Sequence, residues 1–161
     1  RMQKRVFQLL VDNTSGVLNR VAGLFSRRGY NIDSLTVGVT QDPRYSRMTI
    51  VVTGDDDIIE QIIKQIEKLV DVNKVEVLED NNSVCRELIL TKVKTTPEQR
   101  QQVMAVADIF RAKIVDVGID SLIIELTGNQ NKLDAFLNLL ADYEILELVR
   151  TGITGLARGT K

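Results

Sequence analysis

One pattern of apolar residues runs through this chain twice, and it leaves few folds open. Residues 4–11 (Lys-Arg-Val-Phe-Gln-Leu-Leu-Val) read as a strand. Val17, Leu18, Val21, Leu24 and Phe25 then fall on one face of a 3.6-residue period, predicting a helix over 17–28. Gly29 is placed as its left-handed stop. Residues 30–41 and 46–53 return to strand chemistry, with Asp42-Pro43 as the turn between them. Gly54 and three aspartates open a second helix whose apolar face is Ile59, Ile62, Ile63, Ile66 and Leu69, and 72–78 closes with a strand. The order is β-α-β-β-α-β.

Polar residues from Glu79 to Ser83 interrupt the pattern, and then it restarts. A strand over 86–94 leads to Thr96-Pro97-Glu98-Gln99, a capping box with proline at the first helical position. The helix after it faces inward with Val103, Val106, Ala107 and Phe110. Strands over 113–119 and 121–127, a helix carrying Leu133, Phe136, Leu137 and Leu140, and a strand over 144–150 complete the second round. Thr53-Gly54 recurs as Thr127-Gly128, and the five apolar positions of the second helix recur at the same spacing. The expectation is an α+β chain of two tandem ferredoxin-like βαββαβ domains, 1–79 and 80–161, the latter ending in a Gly-rich tail. Helices should cover one face of each antiparallel sheet. The other face has to be polar or covered, and modules of this kind often cover theirs by dimerising.

Composition narrows the chemistry. The chain has no His and one Cys (Cys85), which excludes a Cys/His zinc site and every nucleophile–histidine triad. Lone Cys85 cannot form an internal disulfide, so a cytoplasmic setting is expected. With 21 Lys+Arg against 22 Asp+Glu the formal net charge is −1, unlike the basic excess of a nucleic-acid binder. No apolar run approaches the ~18 residues of a membrane-spanning helix. Asp55-Asp56-Asp57 reads as first-turn carboxylates that complement the helix dipole rather than as a metal site. The segment 151–159 is Gly-rich but has neither dinucleotide nor phosphate-loop spacing, and reads as a terminal tail, docked or free.

Two junctions are candidate sites. Asn13-Thr14-Ser15-Gly16-Val17-Leu18 sets a small, polar turn on a helix N-terminus, where free amides and the positive dipole end favour an anion such as a carboxylate. The plain alternative is a side-chain cap by Asn13 or Ser15. The matching junction of the second half is less favourable, because Thr96 caps it, Pro97 lacks an N–H and Glu98 repels negative charge, so an anionic ligand should favour the first half. The other candidate is Arg27-Arg28-Gly29-Tyr30-Asn31-Ile32-Asp33, where Asn31 sits unusually for a strand and can accept from an ammonium or donate to a carboxylate.

Asn13 through Val21, Gly23 through Val37, Ser46 through Ile50, Gln65 through Val72, Arg86-Glu87-Leu88, Phe110 through Val117, Lys132 through Leu137 and Arg150 through Gly159 together closely resemble the regulatory (small) subunit of acetolactate synthase, also called acetohydroxyacid synthase. The resemblance covers essentially the whole chain. It implies an N-terminal ACT domain, a second ferredoxin-like domain and no catalysis by this chain. It further implies a homodimer that binds and activates the catalytic large subunit and confers feedback inhibition by valine in branched-chain amino-acid biosynthesis. Thiamine diphosphate, FAD and Mg belong, on the same resemblance, to the large subunit. Valine is expected between ACT domains, held by Asn13, Ser15, Gly16, Val17 and Leu18 of one chain with Asn31 and Ile32 of its partner. The competing readings are a freestanding amino-acid sensor with another target and an enzyme on the same scaffold.

Overall fold

The structure is a computed structural model and describes residues 2–160. It divides into two compact units, and each repeats the same topology.

The first unit comprises the chain up to Cys85 and the segment from Ile153 onward. Its elements are β1 (Gln3–Asp12), α1 (Val17–Arg27), β2 (Ile32–Val39), β3 (Tyr45–Gly54), α2 (Asp56–Glu67) and β4 (Val72–Leu78). The strands form an antiparallel sheet in the order β2-β3-β1-β4. Alternation along β1 sends Phe7, Leu9 and Val11 to one face, where they pack with Met48, Ile50 and Val52 under α1 and α2. α1 contributes Val17, Val21, Leu24 and Phe25, and α2 contributes Ile59, Ile62 and Ile66. Leu18, expected on the inner face of α1, is 45% exposed. A helix stripe that already holds Val17, Val21, Leu24 and Phe25 has turned Leu18 to its flank.

The second unit runs from Arg86 to Gly152. It holds most of β5 (Ser83–Lys94), then α3 (Pro97–Ile109), β6 (Lys113–Val117), β7 (Ser121–Gly128), α4 (Gln130–Leu139) and β8 (Glu144–Arg150). Strand order β6-β7-β5-β8 repeats that of the first sheet. Ile89, Val93, Leu122, Ile124, Leu133, Phe136 and Leu140 form its core, with Phe110 edge-on to Phe136 at 5.4 Å. The capping box is present as read: Gln99 N–H donates to Thr96 Oγ1 at 3.2 Å and Thr96 N–H to Gln99 Oε1 at 3.0 Å. Both α1 and α3 end on a left-handed residue, Gly29 (φ 71°) after the first and Arg111 (φ 59°) after the second.

The tail departs from the expected division. Sequence placed it with 80–161, but β9 (Thr154–Ala157) pairs β5 and joins the first unit. Gly155 comes so close to the start of β5 that an added Cβ would lie 2.7 Å from Cys85 Sγ and 3.1 Å from the Val84 carbonyl. Arg158 N–H closes the contact on the Asn82 carbonyl at 2.7 Å. Beneath it, on the helix-free face of the first sheet, Gln8 is buried yet satisfied, accepting from Arg47 and donating to Glu76.

Candidate functional site

Among the described residues, three of the four helices begin on a side-chain cap. Asp55 accepts from Ile58 N–H at 2.9 Å, Thr96 from Gln99, and Asn129 from Lys132 N–H at 2.9 Å. The aspartate run is thereby explained by its cap and by Asp56, which pairs with Arg5 at 3.8 Å. α1 differs. Its cap position is Gly16, left-handed at φ 86°, with no side-chain cap. Neither Asn13 nor Ser15 caps this helix, so no side-chain cap takes up its first-turn amides.

Asn13 is turned away from the helix by the β2–β3 hairpin. Its Nδ2 donates to the Pro43 carbonyl at 2.9 Å, its Oδ1 accepts from Ser46 Oγ at 3.1 Å, and its backbone N–H donates to the Arg44 carbonyl. An amide side chain offers two donors and two acceptor positions, so Asn13 keeps one of each. The hairpin is itself braced, since Thr40 and Asp42 bond around the turn and Arg44 Nη2 meets Asp42 Oδ2 at 2.7 Å. Arg44 holds the Asp42 carboxyl below the usual carboxylate range, first through side-chain hydrogen bonds and then through the Arg44 backbone N–H.

Electrostatics add a cation that the sequence reading did not single out. Arg20, one turn into α1, lays its guanidinium back over Gly16, with Nη1 2.9 Å from where a Gly16 Cβ would stand. Its Nε donates to the largely buried carboxylate of Asp71. That hydrogen bond keeps Arg20 above its ordinary pKa, and the cation is permanent. The spacing Gly16–Arg20 is one helical turn, which was the available signal. Around the uncapped amides lie exposed Ser15, Gly16 and Leu18 and buried Val17.

Asn31 and Ile32 lie elsewhere. Ile32 begins β2 and Asn31 directly precedes it, beyond the Gly29 turn, where Tyr30 O–H donates to Gln61 Oε1 at 3.0 Å. Ile32 is opposite Val52, whereas Asp12, at the mouth of the first junction, is opposite Tyr45. Those β3 positions are seven residues apart, or about 23 Å at strand rise. Within one chain the two sets do not converge. Among the described residues no three His, Cys, Asp or Glu side chains are grouped to hold a metal, and no helix is long and apolar enough to cross a membrane.

Comparison with known proteins settles the family. Residues 7–74 match the family model described as the AHAS small subunit-like ACT domain, and 86–159 match that described as the small subunit of acetolactate synthase. The chain belongs to the acetolactate synthase small-subunit family. The probable acetolactate synthase small subunit of Archaeoglobus fulgidus is 52% identical over 158 residues, 98% of this chain and 99% of that one. The isozyme 3 small subunit of Escherichia coli is 46% identical, covering 98% of each. The crystal structure of the acetolactate synthase small subunit from Thermotoga maritima superposes with a TM-score of 0.90 at 44% identity, covering 99% of each chain. These small-subunit likenesses bear out the tandem α+β fold. The second family match begins at Arg86, where the structure also divides, although it includes the tail that packs on the first unit.

Proposed function

We propose that this chain is the non-catalytic regulatory subunit of a cytoplasmic acetolactate synthase of branched-chain amino-acid biosynthesis. In this reading it forms a homodimer, binds and activates the catalytic large subunit, and confers feedback inhibition by valine. Thiamine diphosphate, FAD and Mg chemistry falls to that partner, and no residue of this chain is assigned to it.

The observation that carries the reading is the start of α1, which alone among the four helices of the described residues lacks a side-chain cap and which has the Arg20 guanidinium laid over it. The α-carboxylate of valine docks on the amides of Gly16, Val17 and Leu18, where free N–H groups and the dipole favour negative charge. Ser15 and the remaining hydrogen-bonding capacity of Asn13 border the ammonium and carboxylate. Asn31 and Ile32 come from the partner protomer, because the two sets lie too far apart to meet in one chain. Val17, Leu18 and Ile32 line the apolar end, which separates side chains one methylene apart by only ~1–3 kcal/mol. Inhibition requires valine to bind the inhibited state more tightly than the active one.

The test is calorimetric titration of the purified chain with valine, leucine and isoleucine, alone and with the large subunit, alongside a synthase assay. Valine binding together with valine-dependent loss of the stimulated activity supports the reading. Valine binding with no complex to a synthase subunit favours a freestanding sensor, and turnover by the isolated chain favours an enzyme.

A further inference from the structure

The first sheet has two faces, and only one lies under helices. By register, Val6, Gln8 and Leu10 of β1, Thr49 and Val51 of β3, and Ser34 and Thr36 of β2 share the other. Yet Gln8, Thr49 and Val51 are 3%, 1% and 1% exposed. The chain's own C-terminal segment lies here. Ile153 N–H donates to Ser34 Oγ at 3.1 Å, and Thr36 Oγ1 donates to the Ile153 carbonyl at 3.4 Å. Two side chains spaced i, i+2 on one strand thus grip both sides of a single residue's backbone. The chain enters this segment from β8, where Gly152 N–H is fixed on the buried carboxylate of Glu87 at 3.1 Å, itself paired with Arg150 at 2.8 Å.

The gripping strand is also the one that starts at Ile32, directly after Asn31. Between Ile32 and Ser34 the pairing register shifts, leaving Asp33 as an extra residue whose carboxylate accepts from Thr53 Oγ1 at 2.6 Å. Such a bulge bends its strand and interrupts the ladder locally, so Ile32 and Ser34 are joined here by two peptide units rather than by continuous pairing with β3. Ser34 stands only two residues, about 7 Å of strand, from Ile32. At Ile153 the grip of β2 consists of two hydroxyl hydrogen bonds, one of them long, and the rest of the tail is held separately by the β9–β5 pairing and by Arg158 on the Asn82 carbonyl.

We propose that Ser34 and Thr36 are positioning residues that couple occupancy of Asn31–Ile32 to the hold on Ile153. The C-terminal segment then registers whether an amino acid is bound. This rests on the effector-site reading above. Coupling of this kind is reciprocal: if valine changes the hold on the segment by some factor, loosening the segment changes valine affinity by the same factor.

The experiment uses the full chain in complex with its catalytic subunit. Hydrogen exchange of peptides spanning 150–158 is followed by mass spectrometry with and without saturating valine, with calorimetry in parallel. The wild type is compared with a Ser34→Ala/Thr36→Val double variant and with Thr36→Ser, which keeps both hydroxyls. Expected is a change of about fivefold or more in exchange of the segment when valine binds the wild type, in either direction. Thr36→Ser retains that change. In the double variant exchange around Ile153 is faster than in the wild type and no longer responds to valine, and its valine Kd moves by the factor seen in wild-type exchange. Valine heat in the wild type with unchanged exchange of 150–158 overturns the inference while leaving the effector site intact. Absence of valine heat overturns the effector site, and the inference with it. Should the double variant fail to fold, the wild-type and Thr36→Ser arms decide.

Discussion

Replacing Gly16 separates two roles that this residue combines. Its φ of 86° lies where L-residues are disfavoured, at a cost of roughly 1–2 kcal/mol. A Cβ would also stand 2.9 Å from Arg20 Nη1, so the end of this guanidinium has to shift while its Nε stays on Asp71. Gly16→Ala therefore carries the conformational cost and that local shift. About 1–2 kcal/mol lowers the melting temperature of a unit this size by roughly 4–16 °C. Gly16→Asp carries no greater conformational cost, since aspartate tolerates the left-handed region better than alanine. Its effect on the ligand is different. It sets a carboxylate against the amides that receive the α-carboxylate of valine, and it offers Arg20 a new anionic partner. Two like charges about 4 Å apart near a protein surface repel by up to ~4 kcal/mol, and screening brings this to about 2–4 kcal/mol. Gly16→Asp should thus bind valine about 30- to 700-fold more weakly than Gly16→Ala. It should abolish feedback while preserving activation of the synthase. Calorimetry with valine on both variants, with thermal melts as the folding control, reads the difference. Equal affinities for the two would refute carboxylate docking at this helix start.

Other substitutions probe the framework. Arg111 holds φ 59° where the first unit uses Gly29, so Arg111→Gly should raise stability by about 1 kcal/mol, seen as a higher urea midpoint. Thr91 is 0% exposed on the core face of β5, and its Oγ1 has no partner among the described residues. Thr91→Val removes that orphan at constant shape and should stabilise by about 1 kcal/mol, whereas an unchanged midpoint would mean that the hydroxyl is satisfied. Asp42 has its folded-state pKa depressed, chiefly by side-chain hydrogen bonds from Arg44. Its stabilising contribution is therefore complete above the ordinary carboxylate pKa and is lost as pH falls through the lower folded value. Asp42→Asn should flatten that part of the acid limb, and a nuclear magnetic resonance titration of Asp42 at an ordinary carboxylate pKa would contradict the assignment.

The helix starts show how far local chemistry reaches. Thr96-Pro97-Glu98-Gln99 predicts its own capping box because every partner lies within three residues. Asn13 fails by the same measure. Its hydrogen-bonding partners Pro43 and Ser46 are 30 and 33 residues away, so a side chain that reads as a cap instead braces a hairpin. Leu18 fits the helical period as well as Val17 does, and only the position of the sheet under α1 shows that it faces outward. Arg20 was legible as a residue one turn from Gly16, but its place over the helix start depends on Asp71, which β4 brings alongside from 51 residues away.

By itself, the sequence determined the two βαββαβ rounds, most of the apolar face of each helix, and the capping box that closes the start of α3. Each is written in periods of two or 3.6 residues or in contacts a single turn long. Tertiary structure decided where the tail belongs, which face of the first sheet it covers, and that Asn13–Leu18 and Asn31–Ile32 cannot meet within one chain. Those outcomes hang on strand register and on pairings such as Ser34 with Ile153, 119 residues apart. Contacts so distant along the chain have no local periodicity to announce them, and they form only once the sheet has fixed which side chains share a face.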